Sequence, residues 1–181
     1  MILKKSVLAG IFISFGCVIY TAIGGYMGAF LFAFGLSAVL VFEASLYTGK
    51  VGYVKWSKKD ISDIFLIILG NFLGSLIVAL ICKLGNYTLT QPKIILNSAL
   101  FAKALLCGMI MYIVVHGIRI KGNYILLLGI PLFILSGMSH SVALMFYLLY
   151  FDYGAIWIEL SILLIALIGN CIGAKIIYYL T

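Results

Sequence analysis

The chain has 181 residues, 65% of them hydrophobic and only 9% charged, with a mean hydropathy of +1.26. Soluble domains carry about 25% charged residues, so this composition excludes an ordinary water-soluble fold and leaves almost no length for a soluble domain. The net charge of +7 comes from scattered basic residues, not a continuous patch, so it does not point to nucleic acid.

A transmembrane helix needs about 20 mostly apolar residues. Six segments meet that need, near 6–23, 26–48, 61–82, 96–118, 123–150 and 154–178. The first follows Lys4 and Lys5 and could pass for a secretory signal. Its removal would leave five spans and invert the charge argument below, so it is taken as retained. In the second, GLSAVLVFEASLYTGK runs apolar until Ser45, Leu46, Tyr47, Thr48 and Gly49, with Glu43 just before. The third contains LGNFLGSL, a G-N-x-x-G motif at Gly70, Asn71 and Gly74. The fourth carries Lys103, and ends at His116 beside Arg119 and Lys121, where an interfacial role is expected. The fifth holds Pro131, which lacks an amide donor and clashes with the preceding turn, and is interrupted by SGMSHS around His140. It exceeds one perpendicular span, although tilt can absorb several residues. The sixth repeats the motif as IGNCIGAK, at Gly169, Asn170 and Gly173.

With the N-terminus in the cytoplasm, one side of the membrane holds Lys4, Lys5, Lys50, Lys55, Lys58, Lys59, Arg119, Lys121 and Lys175. The other holds Lys83 and Lys93, with Lys103 in the membrane-facing part of the fourth helix. This bias obeys the positive-inside rule and places both termini in the cytoplasm. Tyr53, Trp56 and Trp157 suit interfacial aromatic belts. Cys17, Cys82, Cys107 and Cys171 have no CxxC spacing and are expected to be packing residues, with no metal site.

The recurring motif suggests two halves, about 1–83 and 93–181, within one membrane domain. Three spans per half make the copies enter from opposite sides, the inverted-repeat plan of many transporters. Glycines four apart let helices approach closely, and the asparagine amide can hydrogen-bond across the contact. Interruptions at matching places point to a site near the midplane, which predicts that His140 and Thr48 approach each other. Residue by residue, plainer readings stay open. His140 alone could be a satisfied core histidine, Thr48 a loop hydroxyl, and Phe32, Leu36 and Phe133 ordinary core. Glu43 could face the pore, pair with a lysine such as Lys103, or lie at a subunit contact.

Taken together, these residues resemble the formate/nitrite transporter family. Gly35-Leu36 and Leu46-Tyr47-Thr48-Gly49 are similar to its second helix, with L-F-T-G. Pro131, Gly137, His140-Ser141-Val142-Ala143 and Met145-Phe146 resemble its G-F-E-H-S-[IV]-A-N-M. The resemblance implies an all-α integral membrane protein of six transmembrane helices in two inverted repeats, aquaporin-like, with the second and fifth helices broken. It also implies a homopentamer. His140 would be the central pore histidine, Thr48 its partner from the break, Leu46 a gate, and Phe32, Leu36 and Phe133 apolar constrictions. Ser45 and Ser139 stand where the family has acidic residues, Leu144 where it has asparagine, and Cys107-Gly108 replaces its C-N. Lys93 is an approximate counterpart of a family lysine. These departures leave the substrate open.

The expected function is a channel in the cell membrane for a small weak-acid anion such as formate, nitrite or hydrosulfide, with proton coupling through His140. Basic residues at the mouths would attract the anion, and a dry pocket would favour its neutral acid and keep the imidazole uncharged. The alternative is a pore for water, glycerol or undissociated acid, weakened by the absence of paired N-P-A motifs. No nucleophile with a base, paired carboxylates or ligand cluster suggests an enzyme, and no cofactor is implied. Its partners would be the anion, protons, membrane lipid and its own copies.

Overall fold

The computed structural model describes residues 1–121 and 124–181, with side chains left aside at 119–121 and 124. The charges at Arg119 and Lys121, and the start of the fifth apolar segment at 123, therefore lie outside the described residues. The elements run α1 (Ile2–Ile23), α2 (Gly25–Leu31), α3 (Ala33–Val41), α4 (Tyr47–Lys50) with a 3-10 turn (Val51–Tyr53), α5 (Lys58–Leu84), α6 (Ser98–Lys121), α7 (Tyr124–Leu135), α8 (Ser141–Tyr150) and α9 (Ile156–Leu180). No strand occurs among the described residues.

Among the described residues four helices are long and apolar enough to cross a membrane: α1, α5, α9 and the Ser98–Ile118 part of α6. The second apolar segment, expected to be interrupted at residues 45–49, stops being helical earlier, at Val41, and resumes at Tyr47, so that Thr48 and Gly49 lie in a short helix. The fifth is helical to Leu135 and resumes at Ser141. Large apolar side chains such as Phe65, Leu80, Trp157, Leu160 and Leu164 lie on the outside, each more than a third exposed. An outer surface this greasy belongs in lipid, and the chain is a multi-pass membrane protein.

Local signals set the ends. At Gly24 and Gly25, φ is 70° and 57°, so the chain turns from α1 into α2 through a left-handed pair that side chains with a Cβ avoid. Ser57 and Asp60 form a reciprocal capping box that starts α5.

Two close helix pairs form the frame. In α1 and α5, a Cβ on Gly74 would land on the Val7 carbonyl, and one on Gly10 on that of Asn71. In α6 and α9, a Cβ on Gly173 would land on the Leu105 carbonyl, and one on Gly108 on that of Asn170. Gly70 and Gly169 face the Ser6 and Ala104 side chains in the same interfaces. All six glycines bring backbones closer than any other residue allows. The short elements then cross over: α8 packs on α5 and α1, while α4 and its 3-10 turn pack on α6 and α9.

Candidate pore site

Residues 42–46 and 136–140 are non-helical backbone inside a mostly apolar molecule, so their polar groups need partners. Asn71, fully buried, provides them for the first segment. Its Oδ1 accepts from the Tyr47 amide at 2.9 Å, and its Nδ2 donates to the Ser45 carbonyl at 3.0 Å and the Ser6 carbonyl at 2.8 Å. Asn170, equally buried, repeats the arrangement. Its Oδ1 accepts from the Ser141 amide at 2.8 Å, and its Nδ2 donates to the Ser139 carbonyl at 2.9 Å and the Ala104 carbonyl at 2.7 Å. The backbone pattern matches as well: the Ser45 amide donates to the Lys5 carbonyl and the Ser139 amide to that of Lys103. Ser45 and Ser139 thus hold the breaks through their main chain.

The ends of these segments meet. His140 precedes the first residue of α8, and its Nδ1 accepts from the Ala143 amide at 3.1 Å, capping the helix. A ring nitrogen that accepts an amide bond carries a lone pair, so in the neutral ring the proton sits on Nε2. Nε2 lies 2.9 Å from Thr48 Oγ1 and therefore donates to it. His140 is 3% exposed and Thr48 2%. Phe133 stacks at a tilt on the imidazole, ring centres 5.6 Å apart, and Phe32 meets Phe133 edge-on at 5.8 Å.

This buried group stands between two cavities. One, of about 590 Å³, is lined by Leu36, Ser45 and Leu46 with Lys5, Glu43 and Lys50. The other, of about 540 Å³, is lined by Phe32, Phe133, Ser139 and His140 with Lys93 and Lys103. Of the residues that the resemblance implies as constrictions, Leu36 lines the first cavity and Phe32 and Phe133 the second. Thr48 lines neither and reaches the site through its bond to His140. Of the readings open for Glu43, the structure has it paired to Lys5 at 3.3 Å, while Lys103 lines the opposite cavity. The motif residues Gly70, Asn71, Gly74, Gly169, Asn170 and Gly173 line neither cavity and act as the frame.

Sequence reasoning missed Lys5 and Lys50 as cavity residues, because a lysine near a helix end reads only as a membrane-side charge. His116 lies elsewhere, bonded to the Tyr53 hydroxyl at 3.1 Å and stacked on Tyr112.

A family model described as formate/nitrite transporter matches residues 1–181. The fold is similar to a solved pentameric formate channel with formate bound, at a TM-score of 0.80 and 18% identity, covering 98% of this chain and 93% of that one. It is also similar to an FNT family ion channel, at a TM-score of 0.78 and 20% identity, covering 99% and 90%. No curated protein matches the sequence.

Proposed function

The chain belongs to the formate/nitrite transporter family, and on that premise we propose that it is a channel for small monovalent anions of weak acids, with formate, nitrite and hydrosulfide as its ligand class. The observation that carries this is the buried His140–Thr48 hydrogen bond, set between two lysine-lined cavities. In this reading the chain crosses the membrane six times in two inverted repeats, assembles as a homopentamer with one pathway per subunit, and sits in the cell membrane with both termini cytoplasmic.

Burying a bare charge is very costly, and three features of the pathway lower that cost. Lysines in each cavity concentrate the anion. Next, Leu36 and Leu46 on one side, and Phe32 and Phe133 on the other, strip its water. Between these collars a low dielectric favours the protonated acid over the anion. His140, oriented by the cap on α8, donates through Nε2 to the Thr48 hydroxyl, whose own proton is then left to point at the anion. A neutral imidazole could hand over its Nε2 proton only by becoming imidazolate, which no weak-acid anion is basic enough to force. The proton therefore comes from cavity water, and His140 relays one only when the Ala143 bond opens and Nδ1 is free to take it.

The test is formate uptake into proteoliposomes. His140→Phe should abolish uptake while the assembly elutes unchanged, whereas undiminished flux would remove His140 from the pathway. Flux that ignores both membrane potential and external pH would favour a pore for neutral solutes.

A further inference from the structure

The hydrogen-bond pattern of the two breaks aligns them residue for residue. The amides of Phe42, Glu43 and Ala44 donate to Ala38, Leu40 and Val39, and those of Ser136, Gly137 and Met138 donate to Leu132, Ile134 and Phe133. The carbonyl partners of Ser45 and Ser139 are Lys5 and Lys103. Glu43 is therefore the counterpart of Gly137, and Lys5 the counterpart of Lys103. Both break positions are left-handed, with φ of 48° at Glu43 and 65° at Gly137. Glycine suits such a position; a glutamate there is held at a cost in backbone energy, and such strain concentrates where side chains have a task.

The side chain at that position makes the two cavities unlike. On one side the Glu43 carboxylate lies 3.3 Å from the Lys5 ammonium and offsets its charge, leaving Lys50 as the remaining lysine of the lining. On the other, Gly137 offers no side chain, no carboxylate lines the cavity, and Lys93 and Lys103 form no ion pair among the described residues.

We propose that Glu43 makes the pathway electrostatically one-sided, so that small monovalent anions are captured more readily from the Lys93–Lys103 cavity than from the Lys5–Glu43 cavity. This rests on reading the chain as an anion pathway, and it adds a direction that the shared fold does not supply. A single exposed charge several ångströms from the mouth changes local anion occupancy by about threefold at low salt, and less as salt screens it.

Two measurements on the full-length assembly test it. In bilayers with uniform orientation and symmetric formate, the wild type should rectify. Glu43→Gln and Glu43→Gly should both reduce the asymmetry by about threefold, although only the glycine also relieves the backbone. Lys5→Gln should deepen it. A symmetric wild-type current, or an asymmetry unchanged in both Glu43 variants, overturns the proposal. The second readout needs no transport: the rate at which Lys5 is acylated by a sulfonated succinimidyl ester, divided by the rate with its uncharged parent. Glu43→Gln should raise that ratio about threefold, and an unchanged ratio overturns the proposal. A chain that carries no formate but shows the raised ratio would sink the channel reading and leave the one-sided field standing.

Discussion

Asn71 and Asn170 each use the amide oxygen and one amide proton on backbone groups of a break that no helix satisfies, and the other amide proton on a carbonyl of the neighbouring long helix, Ser6 in α1 or Ala104 in α6. Removing such a side chain orphans the two groups of the break, an amide and a carbonyl, each worth about 1–3 kcal/mol. Asn71→Ala and Asn170→Ala are each expected to cost at least about 2 kcal/mol, seen as a large drop in thermal stability of the detergent-solubilised protein. If either variant melts with the wild type, the clamp is not what holds the break. Thr48 has a different task, since it accepts from His140 Nε2. Thr48→Ser keeps that acceptor and should keep formate flux. Thr48→Val keeps the shape but leaves Nε2–H unpaired, and flux should fall at least tenfold, about 1.4 kcal/mol, with assembly intact. Equal flux in the serine and valine variants would take Thr48 out of the site. The residue types of this group were legible in the sequence, because an imidazole and an amide stand out in so apolar a chain. Their bonds were not. The Asn71 partners lie 65, 26 and 24 residues away, and no local spacing encodes them.

Among the elements, the long helices follow from apolar length, and they start and stop close to where hydropathy and lysines place them. The breaks are harder to locate to the residue. Pro131 sits inside α7 and does not end it; the chain leaves the helix only near Ser136 and Gly137, where a left-handed glycine and the Asn170 clamp act together. Glu43 hides the equivalent turn in the first half, because a glutamate does not advertise a positive φ as glycine does. The glycines of the frame are unequal, and this can be measured. A methyl group on Gly74 or Gly173 meets the carbonyl of the partner helix, so alanine there should cost about 3 kcal/mol and impair assembly. A Cβ on Gly49 would meet the Val115 methyl groups and the Leu46 Cβ at ordinary contact distance, 3.6 Å, 3.8 Å and 3.9 Å, so Gly49→Ala should melt within a few degrees of the wild type. A reversed order of melting temperatures would contradict this account of the packing. At the start of α5, Ser57→Ala removes one half of the capping box and should cost about 1 kcal/mol, with flux untouched.

For the molecule as a whole, the crossing of the short elements matters more than any single contact. Because α8 rests chiefly on α5 and α1 while α4 with its 3-10 turn rests chiefly on α6 and α9, neither half has a complete core without the other. The two cavities belong to opposite ends of α1, one lined by Lys5 and the other by Tyr20. An α-helix rises about 1.5 Å per residue, so the cavities are separated by much of the apolar thickness. If the lysine-rich end faces the cytoplasm, positions near Trp56 and Tyr179, both close to the Lys175 ammonium, lie inside, and Asn86 beyond the end of α5 lies outside. The four native cysteines are free and largely buried, which leaves introduced thiols readable. In intact cells a membrane-impermeant maleimide should label Asn86→Cys but not Tyr179→Cys or Ser57→Cys, and permeabilised cells should label all three. Labelling of Ser57→Cys from outside would reverse the orientation, and with it the face from which Glu43 acts. Labelling of Ser57→Cys and Tyr179→Cys from different faces would contradict an even number of crossings between them, and the inverted arrangement of halves could not stand.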